Sequence, residues 1–374
     1  MPLHLSFHTI LILAYTIPNV YLFIRIWNLF IVKEFRLLYV IIYCLLALVY
    51  PASNILPERM IIAPAIEFLA DYLIPFYLYL FLSLLFLDIL LLMNRLIIVV
   101  PREKLKSPAV RKICFVSVLF LSLAILIAGI INFNTIRTSE YRIEVPQRSS
   151  SLKHLRIAFI ADFHLQERTG IRFVKRFREK IDGIKPDIMI FGGDIIEGDS
   201  DDGNVQAYEA ILKGIRTRYG VFSVLGNHEY YAGQDNGSFF DKAGMKVLCD
   251  TVIVIDRLFE LAGRYDSHFS RRKSVNALLS SSSDSLPLIL VDHRPTEIDE
   301  VSSTRADIQL SGHTHNGQMF PINLITRRVY QLSWGHMKKG NTHFFVTSGI
   351  RLWGPPVRTI GKSEIMVIEI DFIP

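Results

Sequence analysis

Four apolar runs in the first 133 residues constrain this chain more than any other feature. They extend roughly from His8 to Val32, Leu37 to Leu56, Tyr72 to Val100 and Ile113 to Phe133. About 20 helical residues cross the ~30 Å hydrocarbon core of a bilayer, so each run is long enough to span. In lipid every backbone N–H and C=O must be satisfied within the segment, which leaves helix as the conformation for such runs. A signal peptide fits the first run poorly: the apolar stretch is long, no clear cleavage site follows, and three more runs come after it. Pro18 and Arg25 make this run the least clean of the four, with Arg25 placed to snorkel toward an interface. The sequence predicts a four-helix transmembrane region over residues 1–133.

The connections set an orientation. Lys33 and Arg36 lie between the first two runs, and Arg102, Lys104, Lys106, Arg111 and Lys112 between the last two. The middle connection carries Glu58, Glu67 and Asp71 against Arg59. Cytoplasmic loops are enriched in Lys and Arg, so the first and third connections are expected inside and everything after Phe133 outside. In a bacterium that means the inner (cytoplasmic) membrane, with a domain facing the periplasm or exterior. Membrane topology then accounts for part of the net charge of +6, and no nucleic-acid partner is expected. Asp88 is the one acid deep in a run, expected to pair with a neighbouring helix or with Arg95. Cys44 and Cys114 sit in apolar runs and Cys249 stands alone, so neither a disulfide framework nor a cysteine zinc site can be built.

Residues 134–155 read as a linker, with Tyr141 to Val145 alternating like an entry strand, and residues 156–374 as a second domain. There, short and mostly apolar runs end repeatedly in polar side chains. Ile157 to Ala161 leads into Asp162 and His164, and Ile188 to Phe191 into Gly193-Asp194. Val221 to Leu225 leads into Gly226-Asn227-His228-Glu229, Leu288 to Val291 into Asp292-His293, and Ile308 to Ser311 into Gly312-His313-Thr314-His315. Such runs read as strands covered on both faces. Helical spacing between them, as in Ile171 to Ile184, predicts βαβ units, which carry their sites at the C-terminal ends of strands. Imidazole and carboxylate together suit Mn, Fe or Zn. Asp162, His164, Asp194, Asn227, His293, His313 and His315 are too many ligands for one ion and enough for two if Asp194 bridges. Two ions ~3.5–4 Å apart clamp a phosphoryl group and acidify water.

The ordered set Asp162-x-His164, Gly193-Asp194, Gly226-Asn227-His228-Glu229, His293 and Gly312-His313-x-His315 resembles the calcineurin-like metallophosphoesterase superfamily over about residues 155–370. Gly317-Gln318 and the stretch Thr347 to Arg358 resemble its bacterial membrane-associated branch, although Asn316 stands where that branch often has glycine. The resemblance implies an αββα sandwich of two mixed β-sheets and two divalent ions, manganese foremost. Asp162, His164, Asp194 and His315 would hold the first ion, and Asp194, Asn227, His293 and His313 the second. His228 would not bind metal; it would act as general acid, opposite a hydroxide bridging the ions.

The implied protein is a membrane-anchored hydrolase of phosphate mono- or diesters. The tether and the bases of residues 171–184 favour a phospholipid or envelope precursor. A nucleotide or cyclic-nucleotide phosphodiesterase and a non-catalytic sensory module are the alternatives, and the complete ligand set with His228 speaks against the second. Glu229 is expected either to orient a neighbour or to be an exposed turn acid. Trp353 and Arg358 are expected to line the cleft, with a core position the equal alternative for Trp353, and Ser267 to Ser285 to form a flexible insertion.

Overall fold

The computed structural model describes residues 7–57, 59–166, 169–197, 204–233 and 238–374. The first part is helical: α1 (Phe7–Phe30), α2 (Arg36–Ile55), α3 (Ala63–Ile97), α4 (Arg102–Lys106) and α5 (Pro108–Asn134). Among the described residues, three helices are long and apolar enough to cross a membrane: Lys33–Ile55, Ala63–Ile97 and Pro108–Asn134. This corrects the expected count of four. Helix α1 forms over 24 residues, but Pro18 sits inside it and Asn19, Arg25 and Asn28 dilute its apolar character. Its polar groups are used in packing. Arg25 pairs with Asp88 of α3, and Tyr21 donates to the same carboxylate at 2.6 Å. Asp88 is thus answered by α1 and not by Arg95, which spares the helices an unpaired charge in apolar surroundings. Glu58 of the middle connection lies outside the described residues.

The second part begins at Asn132. Strands β1 (Ile136–Pro146) and β2 (His154–Ile160) precede α6 (Ile171–Ile184), β3 (Ile188–Phe191), α7 (Val205–Lys213) and β4 (Val221–Ser223). Then come α8 (Asn227–Tyr231), α9 (Ser238–Lys242), β5 (Lys246–Val247) and the hairpin β6 (Thr251–Ile255) and β7 (Phe259–Gly263). The rest is α10 (Val275–Leu279), β8 (Leu288–Val291), α11 (Ile298–Ser302), β9 (Ile308–Ser311), α12 (Ile322–Val329), β10 (Gly335–Lys339), β11 (Thr342–Val346) and β12 (Ser363–Ile373).

Two six-stranded sheets result, in the orders β1-β12-β2-β3-β4-β5 and β10-β11-β9-β8-β7-β6. Both are mixed. Strands β2 to β5 run parallel and β12 antiparallel to β2, while β7, β8, β9 and β11 run parallel with antiparallel edges β6 and β10. Alternation along each strand explains the layering. Ile157 and Phe159 of β2 face the core between the sheets, with Leu261, Ile289, Leu310 and Phe345 from the other sheet. Ala158 and Ile160 face the opposite way, onto Val174, Phe177 and Ile181 of α6. Helices α10 and α11 cover the outer face of the second sheet through Val275, Leu278 and Val301. The architecture is the expected αββα sandwich.

Two segments differ from expectation. The stretch taken as a linker contributes β1, an eleven-residue strand paired in parallel with β12 from Ile136 to Pro146. The serine-rich stretch folds as well. Ser274 caps α10 by accepting from the Ala277 N–H, and Val275, Leu278 and Leu279 are buried. Its apolar residues are few but correctly spaced to cover the sheet.

Arg358, expected in the cleft, is instead fully buried and donates to the carbonyls of Ser348, Gly349 and Arg351. Burial pushes its pKa down to about 10, with Glu364 opposing, so it stays charged at neutral pH. Arg358→Met should therefore leave those carbonyls without their donor and cost about 3–5 kcal/mol. Thermal unfolding of the full chain in detergent should show a clear drop in midpoint; an unchanged midpoint would contradict the role.

Candidate metal centre

Every candidate ligand lies just past a strand or at the start of a helix that follows one. Strand β2 delivers Asp162 and His164, β3 delivers Asp194, β8 delivers His293, β9 delivers His313 and His315, and Asn227 opens α8 after β4. The chain turns sharply there. Asp162, His164, Asp194, His313 and His315 all take left-handed backbone conformations, with φ of 56°, 46°, 53°, 69° and 49°. Each such non-glycine residue costs of order 1–3 kcal/mol and persists only where surrounding structure fixes it. Packing also demands small neighbours: a Cβ on Gly226 would come within 2.1 Å of Asp194 Oδ1, and one on Gly312 within 2.7 Å of Asp162 Oδ2.

Three overlapping groups emerge, each with ligand atoms within 4.8 Å of one another: Asp162, His164 and His315; His164, Asp194 and His228; and Asp194, His293 and His313. The carboxylates are held by backbone. Asp162 accepts from the His313 N–H with both oxygens at 3.0 Å, and Asp194 Oδ1 accepts from the His228 N–H at 2.8 Å. His293 Nδ1 lies 2.8 Å from the Gly192 carbonyl, which turns Nε2 toward Asp194 Oδ2 at 3.1 Å. A partner that accepts the Nδ1 proton fixes the tautomer that leaves Nε2 free as a ligand.

The donor set fits a pair of divalent ions. His164 Nε2, His315 Nδ1 and Asn227 Oδ1 are buried and have no hydrogen-bond partner. Leaving buried polar atoms unpaired is costly, and coordination to a cation is the interaction they can share. Six of the seven expected ligands meet in these groups, from strand ends of both sheets, while Asn227 stands outside them at the start of α8.

The electrostatics point the same way. Burial pushes the His313 imidazole down to about 3, helped by His293 and Arg294, and holds His315 well below its usual range with His164 and Arg358. Both rings are neutral at physiological pH, as metal ligands must be. Burial opposes charge on Asp194 and on His293 alike, but each stabilises the other: Asp194 sits well below the usual carboxylate range and His293 is raised to about 10. Burial, with Asp194 adding to it, raises Asp162 to about 6 despite His293 and His164.

Two acids complete the site. Glu229, open between two roles in the sequence, is fully buried and accepts from the N–H groups of Gly226, Asp194, Ile195 and Ile196. It locks the turn carrying Asp194 to the start of α8. Glu197 escaped the sequence reading altogether. It contacts His164 Nδ1 at 2.5 Å and His228 Nδ1 at 3.2 Å. The only signal was an acid three residues past Asp194, in a stretch without regular periodicity. Trp353 stands at the rim, its ring 6.2 Å from that of His228.

Because His293 carries a proton in the metal-free protein below a pKa of about 10, a metal at its Nε2 must displace that proton. Uptake of manganese or zinc at pH 7–8 should release about one proton at this position, and affinity should rise with pH. Titration calorimetry in buffers of different ionisation enthalpy measures the release, and His293→Ala should abolish that component. Uptake without proton release would contradict the pairing of His293 with Asp194.

Residues 155–317 match the calcineurin-like phosphoesterase family. The chain is 30% identical over 226 residues to an uncharacterized metallophosphoesterase of Helicobacter pylori strain J99, covering 58% of this chain and 60% of that protein. It therefore spans less than two thirds of that relative's length. It is 28% identical to an uncharacterized metallophosphoesterase of Campylobacter jejuni over 98% of both chains. A transmembrane protein with metallophosphoesterase domain from Danio rerio is 26% identical, covering 75% of this chain and 69% of its own. With the αββα layers and the Asp/His-bearing strand ends, the family match identifies residues 155–317 as a calcineurin-like phosphoesterase domain.

Proposed function

We propose that this chain is a membrane-anchored hydrolase of phosphate mono- or diesters that uses two divalent ions, manganese foremost. The observation that carries the reading is the meeting of three Asp/His groups, with unpartnered ligand atoms, beside a histidine held by its own carboxylate. Asp162, His164, Asp194 and His315 would hold one ion, and Asp194, Asn227, His293 and His313 the other. When bound, such ions polarise the phosphoryl oxygens and lower the pKa of water.

The chain's own residues supply the rest. Glu197 accepts at His228 Nδ1, so the other ring nitrogen would be the one to donate to a substrate. Burial works against a charged His228, but the hydrogen bond to Glu197 and the charges of Asp194 and Glu197 outweigh it, so its pKa lies above the usual imidazole range. Burial likewise opposes ionisation of Glu197, yet its bonds to His164 and His228 bring it down to about 2. An ionised Glu197 thus favours the protonated form of His228, the form that would donate to the leaving oxygen. The same carboxylate orients His164, so ligand and proton donor are set by one group.

The positive-inside argument survives the revised helix count. Arg102, Lys104, Lys106, Arg111 and Lys112 flank the start of α5, and the positive-inside rule favours that end in the cytoplasm and the phosphoesterase domain on the outer face. A phosphate ester of the membrane or its envelope, such as a phospholipid, is the substrate class this placement favours.

The full chain supplied with manganese should hydrolyse p-nitrophenyl phosphate or bis-p-nitrophenyl phosphate. His228→Ala should keep both metals by elemental analysis and lose about 10²–10⁴-fold in kcat. Metal loss in that variant would make His228 a ligand instead, and a metal-loaded protein inactive on every ester would leave only the sensory alternative.

A further inference from the structure

Helix α12 is amphipathic in the wrong direction for a globular surface. Ile322, Ile325 and Val329 share one stripe at helical spacing and face solvent, with Ile325 65% and Val329 69% exposed. Phe320 just before the helix is exposed too, whereas the polar Asn323 is buried. A surface helix normally turns its apolar stripe to the core. Contiguous exposed apolar surface of this kind marks an interaction site.

This helix is tied to the metal centre at both ends. The turn carrying His315 packs on it at Gly317, where a Cβ would come within 2.6 Å of the Asn323 backbone nitrogen. At the other end the ring of Tyr330 lies 6.3 Å from that of His313. Two more large exposed side chains, Tyr231 and Trp353, have rings 5.8 and 6.2 Å from His228. Most of the exposed large apolar residues of the domain therefore lie on or beside elements of the site, with Val254 and Ile373 as exceptions.

One occupant is within reach by construction. Helix α5 ends at Asn134 and β1 begins at Ile136, so one residue separates an apolar helix long enough to span from the first strand of the domain. A domain on so short a tether cannot leave the bilayer surface. Arg327 and Arg328 add positive charge beside the apolar stripe, and Trp353 and Tyr231 are the residue types that settle at head-group depth. Apolar stripe, bases and interfacial aromatics together match an anionic lipid surface.

We propose that Phe320 and the exposed stripe of α12 dock into the head-group layer and hold the mouth of the metal centre against the membrane, so that its substrate is a phosphate ester of a membrane amphiphile. The substrate half of this statement rests on the phosphoesterase reading above; the docking half does not. The docking surface presents the phosphate at the level of the ligands and leaves the acyl chains in the bilayer.

The test uses the full chain, one copy per nanodisc, in a lipid mixture containing phosphatidylglycerol. Bimane is attached at Ile325→Cys or, as control, at the exposed Lys338→Cys, each in a background with Cys44, Cys114 and Cys249 replaced by alanine. Phospholipid carrying a nitroxide near the head group should quench the label at 325 several-fold more than at 338. Equal quenching overturns the docking, and this includes the case in which the chain's own helices cover the stripe. Wild-type protein should also favour a long-chain phosphatidic acid in vesicles over its soluble short-chain analogue by roughly tenfold in kcat/KM. Ile325→Glu with Val329→Glu should bring that ratio toward one, and a wild-type preference for the soluble analogue overturns the substrate assignment. If no ester is cleaved, the phosphoesterase reading falls while the quenching result still decides docking.

Discussion

One buried carboxylate holds the site together. Glu229 has no exposure and spends its oxygens on four backbone N–H groups, those of Gly226, Asp194, Ile195 and Ile196. Charge-assisted bonds of this kind are stronger than neutral ones, and in a dry setting they are costly to lose. They fasten the left-handed turn at Asp194 to the first residues of α8. Asp194 in turn accepts from the His228 N–H, so Asp194, Asn227 and His228 are positioned as a unit. Asp162 repeats the device on the other side by accepting from the His313 N–H. The site is thus preorganised by backbone bonds between loops from different strands, before any ion enters.

The division of the sequence into two regimes follows from solvent. In the first part the apolar residues face outward and the polar ones are matched inside, as Arg25, Tyr21 and Asp88 are. In the second the order is reversed, with strands such as β2 and β3 buried on both faces. Helix α12 is the exception that carries the outward-facing habit into the second part.

The buried strands and their terminal ligands were legible because each is local: a short apolar run followed within a few residues by Asp, Asn or His. The αββα class followed once those motifs stood in order. What the sequence hid depends on contacts between distant residues. Glu197 is an ordinary acid until the fold sets it between His164 and His228. Arg358 looks like a cleft residue until its carbonyl partners are seen. Strand β1 alternates too briefly to be told from a linker, and its partner β12 is at the other end of the domain. The helix count differs too: α1 has the length of a span, but among the described residues three other segments are the ones long and apolar enough to cross.

The pairing of β1 with β12 has a consequence for how the domain is made. Arg142 and Asp371, joined across these strands, lie 229 residues apart in the chain. Strand β12 also separates β1 from β2, so the first sheet has a gap until the last strand arrives. The segment that leaves the ribosome directly behind the final apolar helix must wait, unpaired, for almost the whole domain to be synthesised. Closure of this sheet is a late and non-local event.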